Sequence, residues 1–274
     1  MNKSKIGFNL LNYTLLSFFT FLMIIPIIWM VLTSLKPDQE VMELSIFGSS
    51  IEWGNYARAW SFFPFGRFMF NSFFVSLTGT FIVLITSTLA AYAFARLRFP
   101  GREKLFALYL CTLMIPQQVV VIPMFLIMNK LGWTNSYWAL ILPWAFTAFG
   151  AFLIKQFYGT IPRELDEAAI IDGCSHFSVY WRIHLPLLKP AIAALTVFTF
   201  LSYWNNILWP LIIIDDQNMW TLPLGLQMFK GQFGTEWNLL MAAATITTIP
   251  GILIFILAQR YIVQGISLSG LGGK

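Results

Sequence analysis

The chain has 274 residues, of which 58% are hydrophobic and 11% charged, with a formal net charge of +5. Soluble domains carry roughly 25% charged residues, so this composition excludes an ordinary water-soluble globule and makes the bilayer the natural solvent. The basic residues form no continuous stripe, which argues against a nucleic-acid surface.

Along the chain, the windows 6–35, 68–95, 105–129, 131–154, 190–214 and 237–259 contain no Asp, Glu, Lys, Arg or His. Each can cross about 30 Å of hydrocarbon as a helix, and proline or glycine within them is tolerated where neighbours re-satisfy the freed backbone. The expected fold is all-α and integral to the membrane. A single domain over 1–274 carries six transmembrane helices at about 10–35, 68–95, 105–129, 136–156, 190–214 and 238–262. Lys3 and Lys5 precede the first span, but its apolar run is too long for a secretory signal and no small-residue cleavage pattern follows it.

Orientation follows the basic residues, which favour the cytoplasm. With both termini cytoplasmic, twelve lysines and arginines fall inside and five outside, the five being Lys36, Arg58, Arg67, Lys130 and Lys230. Residues 36–67 then form an outer loop rich in aromatics, suited to the membrane interface. Pro100-Gly101 turns the chain back between spans two and three. A tight turn around 130–135 makes spans three and four an antiparallel pair. Cys111 lies in the third span and Cys174 in a loop, at different depths, so no disulfide is expected between them.

Between spans four and five, residues 159–190 form a long polar inside segment in a chain that otherwise avoids polarity. Pro162 suits a first helical position, Glu164, Asp166 and Glu167 suit the positive helix start, and Gly173 suits the stop. A first helix is therefore expected from about Pro162 to Asp172. Ser175 can cap a second, presenting Phe177, Val179, Tyr180 and Ile183 before Pro186 ends it. Helices this short need external support. Arg163 and Glu167 could also pair at i, i+4 as on any solvated helix. His176 and His184, eight apart with no metal spacing, read as surface histidines.

Glu167-Ala168-Ala169, Gly173, Ile183, Leu185 and Pro186 stand at the spacing of the EAA loop of ATP-binding-cassette (ABC) importer permeases, which this segment resembles at every fixed position. In that family the loop forms coupling helices that dock in a cleft of the ATP-binding subunit. The resemblance implies that Glu167 is the charged contact, that Ala168 and Ala169 permit close approach, and that Gly173 makes the turn. Other segments resemble the carbohydrate branch, specifically the smaller permease of maltose-type importers: Pro26 to Lys36, Asn71-Ser72, Tyr203 to Leu211 (YWNNILWPL), Thr221 to Leu226 and Gln259 to Gly265. Thr221, Leu222, Pro223 and Gly225 would belong to a loop that contacts the solute-binding protein. Ser267 to Lys274 departs from the family's usual ending.

The resemblance implies a non-catalytic permease subunit in a bacterial or archaeal cytoplasmic membrane. Its partners would be a second related permease, two ATP-binding subunits and an extracytoplasmic solute-binding protein. The chain itself would bind no cofactor, with ATP and Mg on the partner ATPase. The residues agree: no phosphate-cradling G-x-x-x-x-G-K-[ST] occurs. An ion-coupled carrier or channel is the alternative, but ionisable residues within spans, which such proteins use, are missing from all six windows. A structural or enzymatic membrane protein is a third class. Uncharged polar residues in the spans include Gln117, Asn205 and Asn206, close to prolines that interrupt helix. These are the expected contacts to a hydroxyl-rich cargo such as a sugar, oligosaccharide or polyol, against the plainer reading of interhelical hydrogen bonding.

Overall fold

The computed structural model describes the backbone of residues 3–231 and 234–271, and the side chains of 11–231 and 234–261. In chain order the α-helices are α1 (Lys3–Ser34), α2 (Gly54–Phe62), α3 (Phe65–Arg96), α4 (Arg102–Cys111), α5 (Gln117–Lys130), α6 (Tyr137–Ile141) and α7 (Ala148–Tyr158). They continue with α8 (Glu164–Ile171), α9 (His176–Val179), α10 (Leu185–Leu187), α11 (Lys189–Trp204), α12 (Leu208–Ile213), α13 (Leu222–Leu226) and α14 (Trp237–Leu271). A two-residue pair, β1 (Lys230–Gly231) and β2 (Gly234–Thr235), is the sheet among the described residues. The chain divides into two compact units, residues 1–66 with 225–249 and residues 67–224 with 250–274.

In the first unit, α1 is continuous through Pro26 and its apolar face is exposed, as a helix surrounded by lipid tails would be. Its polar end is tied down. Lys36 is buried, and its ammonium donates to the carbonyl oxygens of Glu43 at 3.0 Å and Ser45 at 2.5 Å. Asn55, also buried, donates to the carbonyls of Ser34 and Lys36 at 2.8 and 3.0 Å. One cation and one amide, together with a main-chain bond from Glu52 N to Leu35 O at 2.8 Å, thus fold the 36–53 connection back on the helix end.

In the second unit the expected third, fourth and fifth spans are each broken. Span three is two helical segments, Arg102–Met114 and Gln117–Lys130, meeting at 100°. Pro116 has no N–H and disfavours the helical region for its predecessor, and Ile115 is accordingly extended at φ −85°, ψ 115°. Span four bends by 43° between Tyr137–Trp144 and Ala148–Tyr158. Pro143 there cannot bond the carbonyl of Ala139 four residues earlier. The orphaned carbonyls are taken by side chains of other helices: Trp209 Nε1 donates to Ala139 O at 2.7 Å, Tyr203 Oη to Ile141 O at 2.9 Å and Thr86 Oγ1 to Ala145 O at 2.8 Å. Span five is interrupted after Trp204, where the Asn206 side chain accepts from Trp209 N at 3.2 Å and caps the turn into α12.

Small residues let these segments meet closely. A Cβ on Gly79 of α3 would lie 2.5 Å from a carbon of the Tyr203 ring, and one on Gly150 of α7 would strike the Ser87 side chain. The turn after α5 uses Asn135 in the left-handed region, φ 55°, with its side-chain oxygen accepting from Asp215 N and Asp216 N at 2.6 and 3.0 Å. Spans three and five are pinned together there.

Candidate functional site

The 159–190 loop folds as two helical pieces, as its local signals require. α8 covers Glu164–Ile171 with Glu164, Asp166 and Glu167 in its first turn, where the helix dipole favours carboxylates. It ends in a paired closure: Cys174 N bonds Ala169 O at 2.9 Å and Gly173 N bonds Ile170 O at 3.0 Å, with Gly173 at φ 82°. That left-handed position is why glycine stands there. Ser175 caps α9, accepting from Ser178 N at 3.3 Å.

One expectation, that both histidines lie at the surface, is corrected here. The second helical run passes through a π turn, Tyr180–His184, and ends at Leu187, one residue past Pro186, where the chain bends by 78° into α11. The widened turn accommodates a residue that can neither donate nor sit over a carbonyl four residues back. Val179 and Tyr180, of the apolar face expected on this helix, are buried. His184 is fully buried, while His176 is exposed. No ion pair joins Arg163 to Glu167 among the described residues.

His184 lies among the rings of Tyr92 and Tyr158, with centroids 5.5 and 5.0 Å away. Its Nε2 hydrogen-bonds Asp166 Oδ1, while its Nδ1 is buried without a partner. A proton on Nδ1 would be a buried donor with nothing to bond. Burial accordingly holds this imidazole below its usual value, outweighing the pull of Asp166. Arg96, the last residue of α3, approaches the other oxygen of the same carboxylate, Nε to Oδ2 3.0 Å, and donates to Ile161 O at 2.6 Å. Sequence reasoning missed this cluster, because three residues so far apart in sequence carry no shared local signal.

Of the EAA-type positions, Glu167, Ala168, Gly173 and Pro186 are exposed, Ala169 is buried, and Ile183 and Leu185 are half-buried. Beside them stand large apolar side chains that water should have excluded: Ile171 is 85% exposed, Phe177 67% and Trp181 61%. Ile171 and Trp181 went unremarked in the sequence, although apolar residues facing out of a polar loop were a readable sign of an interface.

Deeper in the same unit is a cavity of about 470 Å³, lined among others by Gln117, Asn206, Thr199, Ser202, Trp144 and Tyr203. No charged side chain is among its described lining residues. Two of the three expected cargo contacts, Gln117 and Asn206, therefore share one space, brought together by the breaks at Pro116 and after Trp204. Asn205 is exposed and does not line it. Asn71 is consumed structurally, donating to Asn218 O and Trp220 O at 2.8 Å each and accepting from Tyr137 Oη at 2.7 Å. Thr245 and Thr248 bond carbonyls of their own helix. Thr221 and Leu222 are buried, with Leu222 N donating to Ser72 Oγ at 2.7 Å, Pro223 is half-buried and Gly225 is buried. The exposed residues of that region come later, at Gln227 and Lys230. The side chains of Ser267 to Lys274 lie outside the described residues.

Broken apolar helices around an uncharged polar cavity, with an apolar-faced helical loop at one end, define a membrane permease. Residues 82–268 match the family described as binding-protein-dependent transport system inner membrane component, and the chain belongs to that family. It is 32% identical over 268 residues to the arabinooligosaccharides transport system permease protein AraQ of Halalkalibacterium halodurans, covering 94% of each chain. It is 34% identical over 276 residues to the sn-glycerol-3-phosphate transport system permease protein UgpE of Pectobacterium atrosepticum, covering 97% of this chain and 98% of that one. Its fold matches a chain of the crystal structure of a bacterial ABC transporter involved in import of the acidic polysaccharide alginate, with a TM-score of 0.82 at 23% identity over 95% of this chain and 98% of that chain. The chain is thus a permease subunit of an ABC importer, a non-catalytic membrane component whose ATPase is a separate protein.

Proposed function

We propose that this subunit forms half of the pathway for an uncharged sugar, oligosaccharide or polyol, and that residues 159–190 couple it to the ATPase by alternating access. The observation that carries the cargo reading is the cavity: amides of Gln117 and Asn206, hydroxyls of Thr199 and Ser202, aromatic faces, and no charged side chain among its described lining residues. Hydroxyl-rich solutes pair with amides and stack on aromatic rings, whereas an anionic cargo calls for arginine or lysine. Relatives named for arabinooligosaccharides and for lactose support the same class.

The docking reading assigns Glu167 the charged contact, Ala168 the close approach and Gly173 the turn, while Ala169, buried, seats α8 on its own chain and Ile183, Leu185 and Pro186 hold the second helical piece. The exposed Ile171, Phe177 and Trp181 would supply the apolar area. In this account the membrane is crossed six times with both termini cytoplasmic, spans three, four and five each being made of broken helix. The partners are a second permease, two ATP-binding subunits that carry ATP and Mg²⁺, and a solute-binding protein. A neighbouring structure, an alginate ABC transporter in complex with alginate pentasaccharide-bound periplasmic protein, supports the last of these. Thr221, Leu222, Pro223 and Gly225 would belong to the segment that makes that contact. Asn205 would serve at the helix break, outside the cavity.

Uptake assays of cells carrying Asn206→Leu or Gln117→Leu, against panels of neutral oligosaccharides and of glycerol phosphates, test the cargo class. Loss confined to a neutral sugar supports it, and loss confined to a phosphorylated solute contradicts it.

A further inference from the structure

Docking on the ATPase explains the exposed side of the coupling loop and leaves its buried charges unused. Arg96, Asp166 and His184 come from three separate segments, and their side chains are 7%, 15% and 0% exposed. The two oxygens of Asp166 are divided between α3, through Arg96, and the π turn, through His184. Ala169 is the buried residue of α8, which otherwise packs on α9. An enclosed ion pair adds little net stability, because desolvation offsets most of the attraction, but removing one partner strands the other. Such a pair fixes position.

We propose that Asp166 is the residue through which movement of α8 reaches the membrane helices, its carboxylate clamped by Arg96 and His184 so that the coupling helix and the end of α3 move as one piece. The proposal rests on the docking reading above. Asp166, Arg96 and His184 are positioning residues, distinct from the exposed Glu167 and Ile171. Without the clamp, α8 would still follow the ATPase while α3 stayed behind.

The test is hydrogen–deuterium exchange on the purified native assembly, with and without adenylyl imidodiphosphate, a non-hydrolysable ATP analogue. In the wild type the analogue should change exchange at least threefold both in residues 164–171 and in residues 90–96. In Asp166→Asn the first response should persist and the second vanish. The exchanged pair Arg96→Asp with Asp166→Arg should restore at least half of it. His184→Gln, whose amide can donate where Nε2 does, should keep the response, and His184→Phe should lose at least half. A response at 90–96 that survives in Asp166→Asn, or an exchanged pair no better than the single variant, overturns the clamp while leaving docking intact. Should Asp166→Asn fail to reach the membrane, equal responses in the two His184 variants overturn it. A wild-type assembly in which 164–171 ignores the analogue contradicts docking itself, and the clamp with it.

Discussion

Trp209 shows how one side chain can stand in for a missing backbone donor. Pro143 leaves the carbonyl of Ala139 without its helical partner, and the Trp209 indole takes it at 2.7 Å in a buried setting. Trp209→Phe keeps much of the ring and removes the donor. The expected cost is about 1–3 kcal/mol, the penalty of an unsatisfied buried carbonyl, read as a lower thermal midpoint of the detergent-purified protein. Trp209→Phe equal in stability to the wild type would mean that the break is held by packing alone. His184 makes a second prediction at this scale. Its imidazole faces Asp166, Arg96 and the rings of Tyr92 and Tyr158, and burial depresses its proton affinity. The unfolded chain therefore takes up a proton near pH 6.5 that the folded one refuses until lower pH. Stability from this group is complete above that value and declines as pH falls through the window beneath it, by at most about 1.4 kcal/mol per pH unit. Thermal midpoints from pH 7.5 down to 5.5 should fall more steeply in the wild type than in His184→Gln.

At the scale of elements, the helical structure of the 159–190 loop was largely readable in advance. The acidic first turn, Gly173 as the stop and Ser175 as the cap all follow from local rules, and each is found in place. Gly173→Pro should break the connection between the helical pieces, because proline is fixed near φ −65° and the position stands at 82°. Gly173→Ala should do less, since nothing lies within 4 Å of its Cβ and only the left-handed strain remains. Limited proteolysis in the 170–180 region should rank the two in that order. The breaks within spans were less legible. Hydropathy averages over a window and is blind to φ, so 105–129 read as one helix although Pro116 forces Ile115 extended and turns the chain by 100°. The burial of His184 had no local sign at all, since one ring that covers it belongs to Tyr92, 92 positions away by residue number. The cavity stood between these extremes. Gln117 and Asn206 stood out as amides beside prolines, but only the folding of three broken spans brings them to one cavity and leaves Asn205 off it.

For the whole molecule, the asymmetry of lysine and arginine predicts sidedness. With six crossings, single cysteines placed at Lys130 and at Arg98 should label from opposite faces of intact membrane vesicles, and labelling of both from one face would require a different count. The central claim is that this permease is driven through residues 159–190 by an ATPase on another chain. The most direct measurement is affinity purification of the tagged chain from its native membrane, with ATP hydrolysis assayed in the eluate. The wild type should bring an ATPase with it. Glu167→Lys and Phe177→Glu, both at exposed positions, should reach the membrane at normal levels and lose at least tenfold of the co-eluting activity. An ATPase retained at full yield by both variants would contradict the account.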